Sequence, residues 1–195
     1  SEPTVRVQDD SAEVTYSRFY RIKADEEPVL QDDFLIQIHA PESAEHAVGP
    51  LIEWTVKTTA LVDVTLDRTP IPGEPGGKKW GGYAGLSWRG AKALANVKFT
   101  DSEGREGMDI HRERSRWVNA VGEIGGKTAG VAMTAPTLDS EEDCSWYIFA
   151  RVDLPFWYIN PAIVQPGPIR LKQGESFTHD YDLIVHDGSW SPESK

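Results

Sequence analysis

The sequence predicts an all-β protein, an antiparallel β-sandwich or pair of curved sheets, from two observations. Apolar and polar residues alternate through much of the chain, which is typical of half-buried antiparallel strands. Turn signals rich in glycine and proline separate the alternating stretches, so we expect about ten to twelve short strands. No stretch carries the apolar stripe of an amphipathic helix.

The first strands are predicted in the N-terminal third of the chain. Residues 13–24, 33–39 and 51–58 each place most of their large apolar side chains on one face of a strand. In the third of these stretches, Glu53 lies on the polar face beside Trp54. Glu53 is either an outward-facing glutamate in solvent or, if it lines a cleft, an acid–base group.

Residues 68–89, RTPIPGEPGGKKWGGYAGLSWR, are unusually rich in proline, glycine, aromatic residues and arginine. Flat aromatic faces beside guanidinium groups suit sugar rings and carboxylates. The segment therefore predicts a pocket wall in which Trp80 and Tyr83 stack on a ligand and Arg89 donates hydrogen bonds. The alternative is a hairpin with core aromatic residues and a surface arginine.

Residues 107–119, GMDIHRERSRWVN, are predicted to form a charged strand. Asp109 and His111 are two positions apart and would share one face, where the aspartate could orient the imidazole as a general base. The other face would carry Arg112, Arg114 and Arg116, followed by Trp117. These arginines would suit carboxylate or phosphate oxygens. The alternative is a charged edge strand that opposes aggregation.

Residues 144–168 hold two aromatic clusters, and Pro155 and Pro161 frame the second. Because proline cannot donate to a sheet ladder, this stretch predicts a poor central strand. Such a stretch could present Trp157 and Asn160 at a sheet end, where an indole and an amide can contact a sugar. The alternative is the hydrophobic seam between two sheets.

Composition argues against several functions. The net charge of −11 at pH 7 is a poor match for nucleic acid or an anionic membrane surface, and no apolar run is long enough for a transmembrane helix. Cys144 is the single cysteine, so no disulfide can form within the chain. Without a recognised metal-ligand spacing or nucleotide-binding motif, we expect no metal and no cofactor. We expect one domain, residues 1–195, with an ordered core over about 12–188.

Three blocks together carry a family resemblance: residues 68–89, GKTAGVAM at 126–133 and GESFTHDYDLIVHDG at 174–188. Over roughly residues 12–188 the chain resembles the bacterial family labelled "methane oxygenase PmoA-like". The resemblance implies a soluble protein of the periplasm or the extracellular space. The implied fold is a galactose-mutarotase-like β-supersandwich with a sugar or uronic acid on the concave face of its larger sheet.

Of the family's pattern, Arg89, Trp117 and Asn160 carry over to this chain. The family's upstream histidine-rich segment, similar to DHPHHRGLW, has no counterpart here. Where the family has a DHPSNPR-like pattern, this chain has TAPTLDSEED at residues 134–143, which contains no histidine. If the family's chemistry uses those histidines, the resemblance implies that this chain is either a lobe of a larger protein or a non-catalytic relative.

Two functions from different classes follow. The first is a carbohydrate-active or carbohydrate-binding protein for a sugar or polysaccharide-derived ligand, which as an enzyme would carry out epimerisation, hydrolysis or elimination. Its stacking residues would be Trp80, Tyr83, Trp117 and Trp157, its donors Arg89, Arg116 and Asn160, and its acid–base pair His111 and Glu53. The second is a non-catalytic interaction module that forms a homo-oligomer or assembles with a partner chain or a missing N-terminal lobe. A cupin-like metal oxygenase is a third alternative.

Overall fold

The structure is a computed structural model that describes residues 2–41, 48–79, 81–136, 144–188 and 190. The described residues form thirteen β-strands and one 3-10 helix, which confirms the all-β prediction. The strands in chain order are β1 (Thr4–Gln8), β2 (Ser11–Tyr20), β3 (Leu30–His39), β4 (Val48–Ala60), β5 (Val64–Leu66), β6 (Trp88–Arg89), β7 (Ala95–Asp101), β8 (Trp117–Ile124), β9 (Lys127–Thr134), β10 (Trp146–Arg151), β11 (Phe156–Pro161), β12 (Ile169–Leu171) and β13 (Ser176–His186).

Eight strands form one large antiparallel sheet in the order β1-β2-β3-β4-β13-β9-β8-β7. Strands β1 to β4 follow each other as a meander, and β7 to β9 form a second one. The last strand, β13, pairs with β4 on one side and with β9 on the other. It therefore brings side chains from the two ends of the chain onto the same sheet surface.

Two small sheets, β10-β11-β6 and β12-β5, accompany the large sheet. The main hydrophobic core lies between the β10-β11-β6 sheet and the half of the large sheet that ends at β7. The small sheet contributes Trp146, Ile148, Trp157 and Ile159, and the large sheet contributes Phe99, Val118, Val131 and Met133. We call the side of the large sheet that carries these residues its core side, and the opposite side its outer side.

The expectation that the proline-framed stretch would be a poor central strand is wrong. Strand β11 lies in the middle of the three-stranded sheet, between β10 and β6. Pro155 precedes the strand and Pro161 is its last residue, so neither interrupts the ladder. Trp157 and Ile159 enter the core, and the stretch is the seam between sheets.

The expected charged strand at residues 107–119 is also wrong over most of its length. Residues Gly107–Ile110 form a 3-10 helix, and His111 follows as its C-cap. Gly107 has a φ of 56°, a left-handed conformation that glycine adopts at low cost. Asp109 therefore lies in the helix and His111 at its end, so the two do not share a strand face. The next strand, β8, begins at Trp117.

Candidate functional site

A carboxylate–imidazole pair lies on the outer side of the large sheet. Glu53 alternates with Ile52 and Trp54 in β4, and Trp54 packs against the core. His39 ends the neighbouring strand β3, and its Nε2 is 2.6 Å from Glu53 Oε2. A carboxylate oxygen accepts hydrogen bonds, so the Nε2–H of His39 is the donor in this contact and Nδ1 is the other ring nitrogen. We call this pair the dyad.

The cross-strand register extends the dyad into a polar row. Glu13, Gln37, Glu53 and Asp182 are successive partners across β2, β3, β4 and β13. Directly opposite side chains of antiparallel strands have Cβ atoms about 5 Å apart. These four residues and His39 form what we call the dyad face. It places several carboxylates and one imidazole within reach of a small ligand.

A shallow pocket of about 120 Å³ lies at one end of the dyad face. Arg6 contributes a guanidinium to it and contacts Glu13 at 3.4 Å. The pocket is lined by Arg6, Gln8, Ser11, Ala12, Glu13, Gln37 and His39. Its donors and acceptors are of the kind that hydroxyl groups bind.

An indole lies at the other end of the same row. The Asp182 amide donates to Thr134 Oγ1 at 3.0 Å, and Thr134 is the cross-strand partner of Trp117. Trp117 is therefore on the same side of the sheet as Glu53, three strand spacings or about 14 Å away. Its ring packs edge-on against Trp190, with ring centroids 5.0 Å apart. Two of the predicted site residues thus share one surface.

A second surface lies on the outer side of the three-stranded sheet. Tyr83 belongs to residues 68–89, which we call the glycine-rich segment. Its ring packs against Tyr147 and Tyr158 with centroid distances of 5.6 and 6.2 Å. Arg89 is the cross-strand partner of Tyr158, and the His111 ring is 4.9 Å from that of Tyr147. We call these five residues the tyrosine face. It brings together three other predicted site residues.

Burial sets the protonation states on the tyrosine face. It raises the pKa of the Tyr147 and Tyr158 hydroxyls, which therefore stay protonated and can donate. Burial also lowers the pKa of His111, so its imidazole is neutral at pH 7. His111 Nδ1 lies 2.8 Å from the backbone oxygen of Ile148, so the backbone of β10 positions this ring. The sequence had instead suggested that Asp109 orients the His111 imidazole.

Two other predicted site residues lie in the interior. Trp157 is 4% exposed, and its indole N–H donates to the backbone oxygen of Leu94 at 2.8 Å. Asn160 is fully buried. Its amide accepts a hydrogen bond from the Ala84 backbone and donates to Ala84, Leu86 and Ser87. Trp157 therefore bonds to the β6–β7 connection, and Asn160 bonds to the glycine-rich segment.

The expected residues therefore do not form one site. Glu53 and Trp117 are on the dyad face, and Tyr83, Arg89 and His111 are on the tyrosine face. Arg116 is an exposed residue immediately before β8. Trp80 lies outside the described residues.

His39 and Asp182 were not singled out from the sequence as site residues. A signal for both was present, because each falls on the polar positions of an alternating strand. His39 is in phase with Gln37, and Asp182 is in phase with Asp180. What the sequence does not state is the pairing of β3 and β13 with β4, which places both residues beside Glu53.

A family model described as "Family of unknown function (DUF6807)" matches residues 3–195. The chain belongs to the DUF6807 family. No match was found among curated protein sequences. The described part of this DUF6807 protein has no helix long and apolar enough to cross a membrane. Within the described residues, no three His, Cys, Asp or Glu side chains converge as metal ligands. Residues 137–143, most of the TAPTLDSEED stretch, lie outside them.

Proposed function

We propose that this DUF6807 protein is carbohydrate-active and that it takes a neutral sugar on the dyad face. The observation that carries the proposal is the 2.6 Å contact between His39 Nε2 and Glu53 Oε2 beside a polar pocket. The polar row that contains Glu53 leads to Trp117. Sugar sites combine such polar groups with an aromatic face.

The dyad supplies acid–base chemistry. Glu53 holds the Nε2–H of His39, and Nδ1 then takes a proton from a sugar hydroxyl. For a hemiacetal, loss of the anomeric hydroxyl proton accompanies cleavage of the bond between the anomeric carbon and the ring oxygen. A water molecule protonates that ring oxygen, and the hydroxide left behind takes the proton back from His39 Nδ1. Glu13 and Asp182 are the neighbouring carboxylates on the row that can accept hydrogen bonds from such a water. Rotation about the bond between C1 and C2, followed by ring closure with the two proton transfers reversed, gives the other anomer, which is epimerisation at the anomeric carbon only.

The charge of the dyad face selects a neutral ligand over a uronic acid. Glu13, Glu53 and Asp182 are carboxylates on one surface, and like charges repel an anionic sugar. The separation of about 14 Å between Glu53 and Trp117 leaves room for more than one sugar ring. We therefore expect an oligosaccharide to bind more tightly than a single hexose.

Saturation-transfer NMR against neutral hexoses and their oligosaccharides, followed by one-dimensional NMR of anomer and product signals, tests this function. We expect binding of at least one neutral sugar to wild type. Turnover should be lost in Glu53→Gln and His39→Gln, and binding should weaken in Trp117→Ala. Lys57→Gln is the matched control, since Lys57 is exposed on the same side of β4. Absence of binding by any neutral sugar, or unchanged turnover in both dyad variants, would rule out the proposal.

A second candidate function, assembly with a partner chain, has its own supporting observation. The core side of β2, β3 and β4 carries an apolar surface that is only half-buried, and β2 and β3 make their main contacts within the same sheet. Tyr16 stacks on Phe34 there at a centroid distance of 4.5 Å. The surface consists of Val14, Tyr16, Phe34, Ile36, Ile38, Ile52 and Trp54. Contiguous apolar surface of this kind is typical of interfaces.

Light scattering coupled to size-exclusion chromatography tests the assembly. If the partner is a second copy of this chain, the protein should run above its chain mass of 21.7 kDa. A charge on this surface, as in Ile36→Lys, should then return it to a monomer. A wild-type protein that runs as a monomer at all concentrations argues against self-association.

A further inference from the structure

Arg112 occupies a backbone position that favours glycine. The Glu113 amide donates to the Ile110 carbonyl at 3.0 Å, which closes a turn over residues 110–113. His111 has φ −64° and ψ 118°, and Arg112 has φ 71°. These angles describe a type II turn, whose third residue is usually glycine or asparagine. An arginine side chain at this position is a strained choice compared with glycine and points to a role for the side chain.

The Arg112 side chain lacks a full set of partners. Its Nε is buried and makes no hydrogen bond among the described residues. The nearby carboxylate of Glu74 is already engaged, because Arg68 donates two hydrogen bonds of 2.7 Å to it. Those bonds lower the pKa of Glu74 to about 2. A buried guanidinium nitrogen without an acceptor is costly, and a bound oxyanion would satisfy it.

Arg112 follows His111, whose ring lies 4.9 Å from that of Tyr147, so the turn meets the tyrosine face in a chain whose net charge is −11. The glycine-rich segment packs beside the tyrosine face, where a Cβ on Gly82 would lie 3.9 Å from the Tyr147 ring. The same segment carries Lys78 and Lys79. The dyad face, by contrast, is rich in carboxylates. An anion therefore finds its favourable surroundings on the tyrosine face.

We propose that the tyrosine face is a binding site for a ring compound that carries a carboxylate. The Arg112 guanidinium forms a fork that matches the two carboxylate oxygens. The ring lies against Tyr83, which is 40% exposed, and Arg89 lies at the far edge of the surface beside Tyr158. This site is separate from the dyad face and does not depend on the carbohydrate proposal.

Isothermal titration calorimetry with matched acid and neutral probes tests the site. Benzoate is compared with benzyl alcohol, and glucuronate with glucose, so that aromatic acids and sugar acids are distinguished. We expect at least one carboxylate to bind wild type with a Kd below about 1 mM through Arg112, and any binding of its neutral counterpart to be independent of Arg112. Arg112→Asn, which suits the left-handed backbone, should weaken carboxylate binding at least tenfold without lowering the melting temperature.

Two controls make the test specific. Arg151→Gln removes another outer-side arginine of the same sheet, one already paired with Asp153 at 2.9 Å, and should leave carboxylate affinity unchanged. Glu53→Gln should also leave it unchanged, because Glu53 belongs to the dyad face. Wild-type affinity in Arg112→Asn would overturn the proposal. So would an equal loss of acid and neutral binding in Arg112→Asn, or the failure of both carboxylates to bind wild type.

Discussion

The dyad face and the tyrosine face are built by different means. The dyad face belongs to one continuous antiparallel sheet, and backbone ladders set the spacing of its side chains. The tyrosine face combines two-residue strand β6, the glycine-rich segment and a turn with a left-handed arginine. Its geometry depends on individual side-chain bonds, above all those of Asn160. We therefore expect single substitutions to disturb the tyrosine face far more than the dyad face.

The largest effect should come from the residue that fixes the tyrosine face. Asn160→Ala removes the hydrogen bonds to residues 84–87 and leaves buried backbone groups unpaired, which should cost about 3 kcal/mol of unfolding free energy. Urea denaturation measures the loss, and Gln37→Ala on the dyad face is the control. If the two variants lost equal stability, the contrast between the faces would be wrong.

Arg112→Gly should have a smaller effect of the opposite sign. Glycine relieves the left-handed strain at a φ of 71°, so the unfolding free energy should rise by about 1 kcal/mol. Arg89→Gly is the control because Arg89 lies in a strand, where glycine lowers stability. Thermal and urea unfolding measure both variants. A loss of stability in Arg112→Gly would show that its guanidinium has a structural role that outweighs the strain.

The pH dependence of stability should separate wild type from His111→Gln. Burial lowers the pKa of His111 in the folded protein below its ordinary value, so the unfolded chain binds the proton more tightly. This contribution to stability is fully present above the unfolded pKa of about 6.5 and is lost as the pH falls below that value and through the lower pKa of the folded protein. Urea midpoints at neutral and mildly acidic pH should fall more steeply for wild type than for His111→Gln. Parallel pH profiles would contradict the assignment.

The smallest effect on stability should come from Glu53→Gln. The His39 and Glu53 side chains are 39% and 46% exposed, and ion pairs at such exposed positions contribute roughly 0–1 kcal/mol. Its melting temperature should therefore stay close to that of wild type while any turnover is lost. A large destabilisation would make the dyad a structural pair and would remove the contrast in function between the faces.

Much of the architecture was predictable because alternation is a local property. The polar and apolar faces of β2, β3, β4 and β13 can be read from the sequence, and so can the outward position of Glu53. The aromatic and glycine-rich composition of residues 68–89 marked a surface that includes Tyr83 and Arg89. The prediction for β11 failed because proline at a strand end does not interrupt the ladder.

What the sequence alone determined is therefore which residues point together within one strand, since that follows from a backbone period of two. Only the tertiary structure decided which strands are neighbours. The insertion of β13 between β4 and β9 places Asp182 beside Glu53 and connects the row to Trp117, 65 residues earlier in the chain than Asp182. The same holds for the burial of Asn160 and the left-handed turn at Arg112. These depend on contacts between distant segments, and no local pattern encodes such contacts.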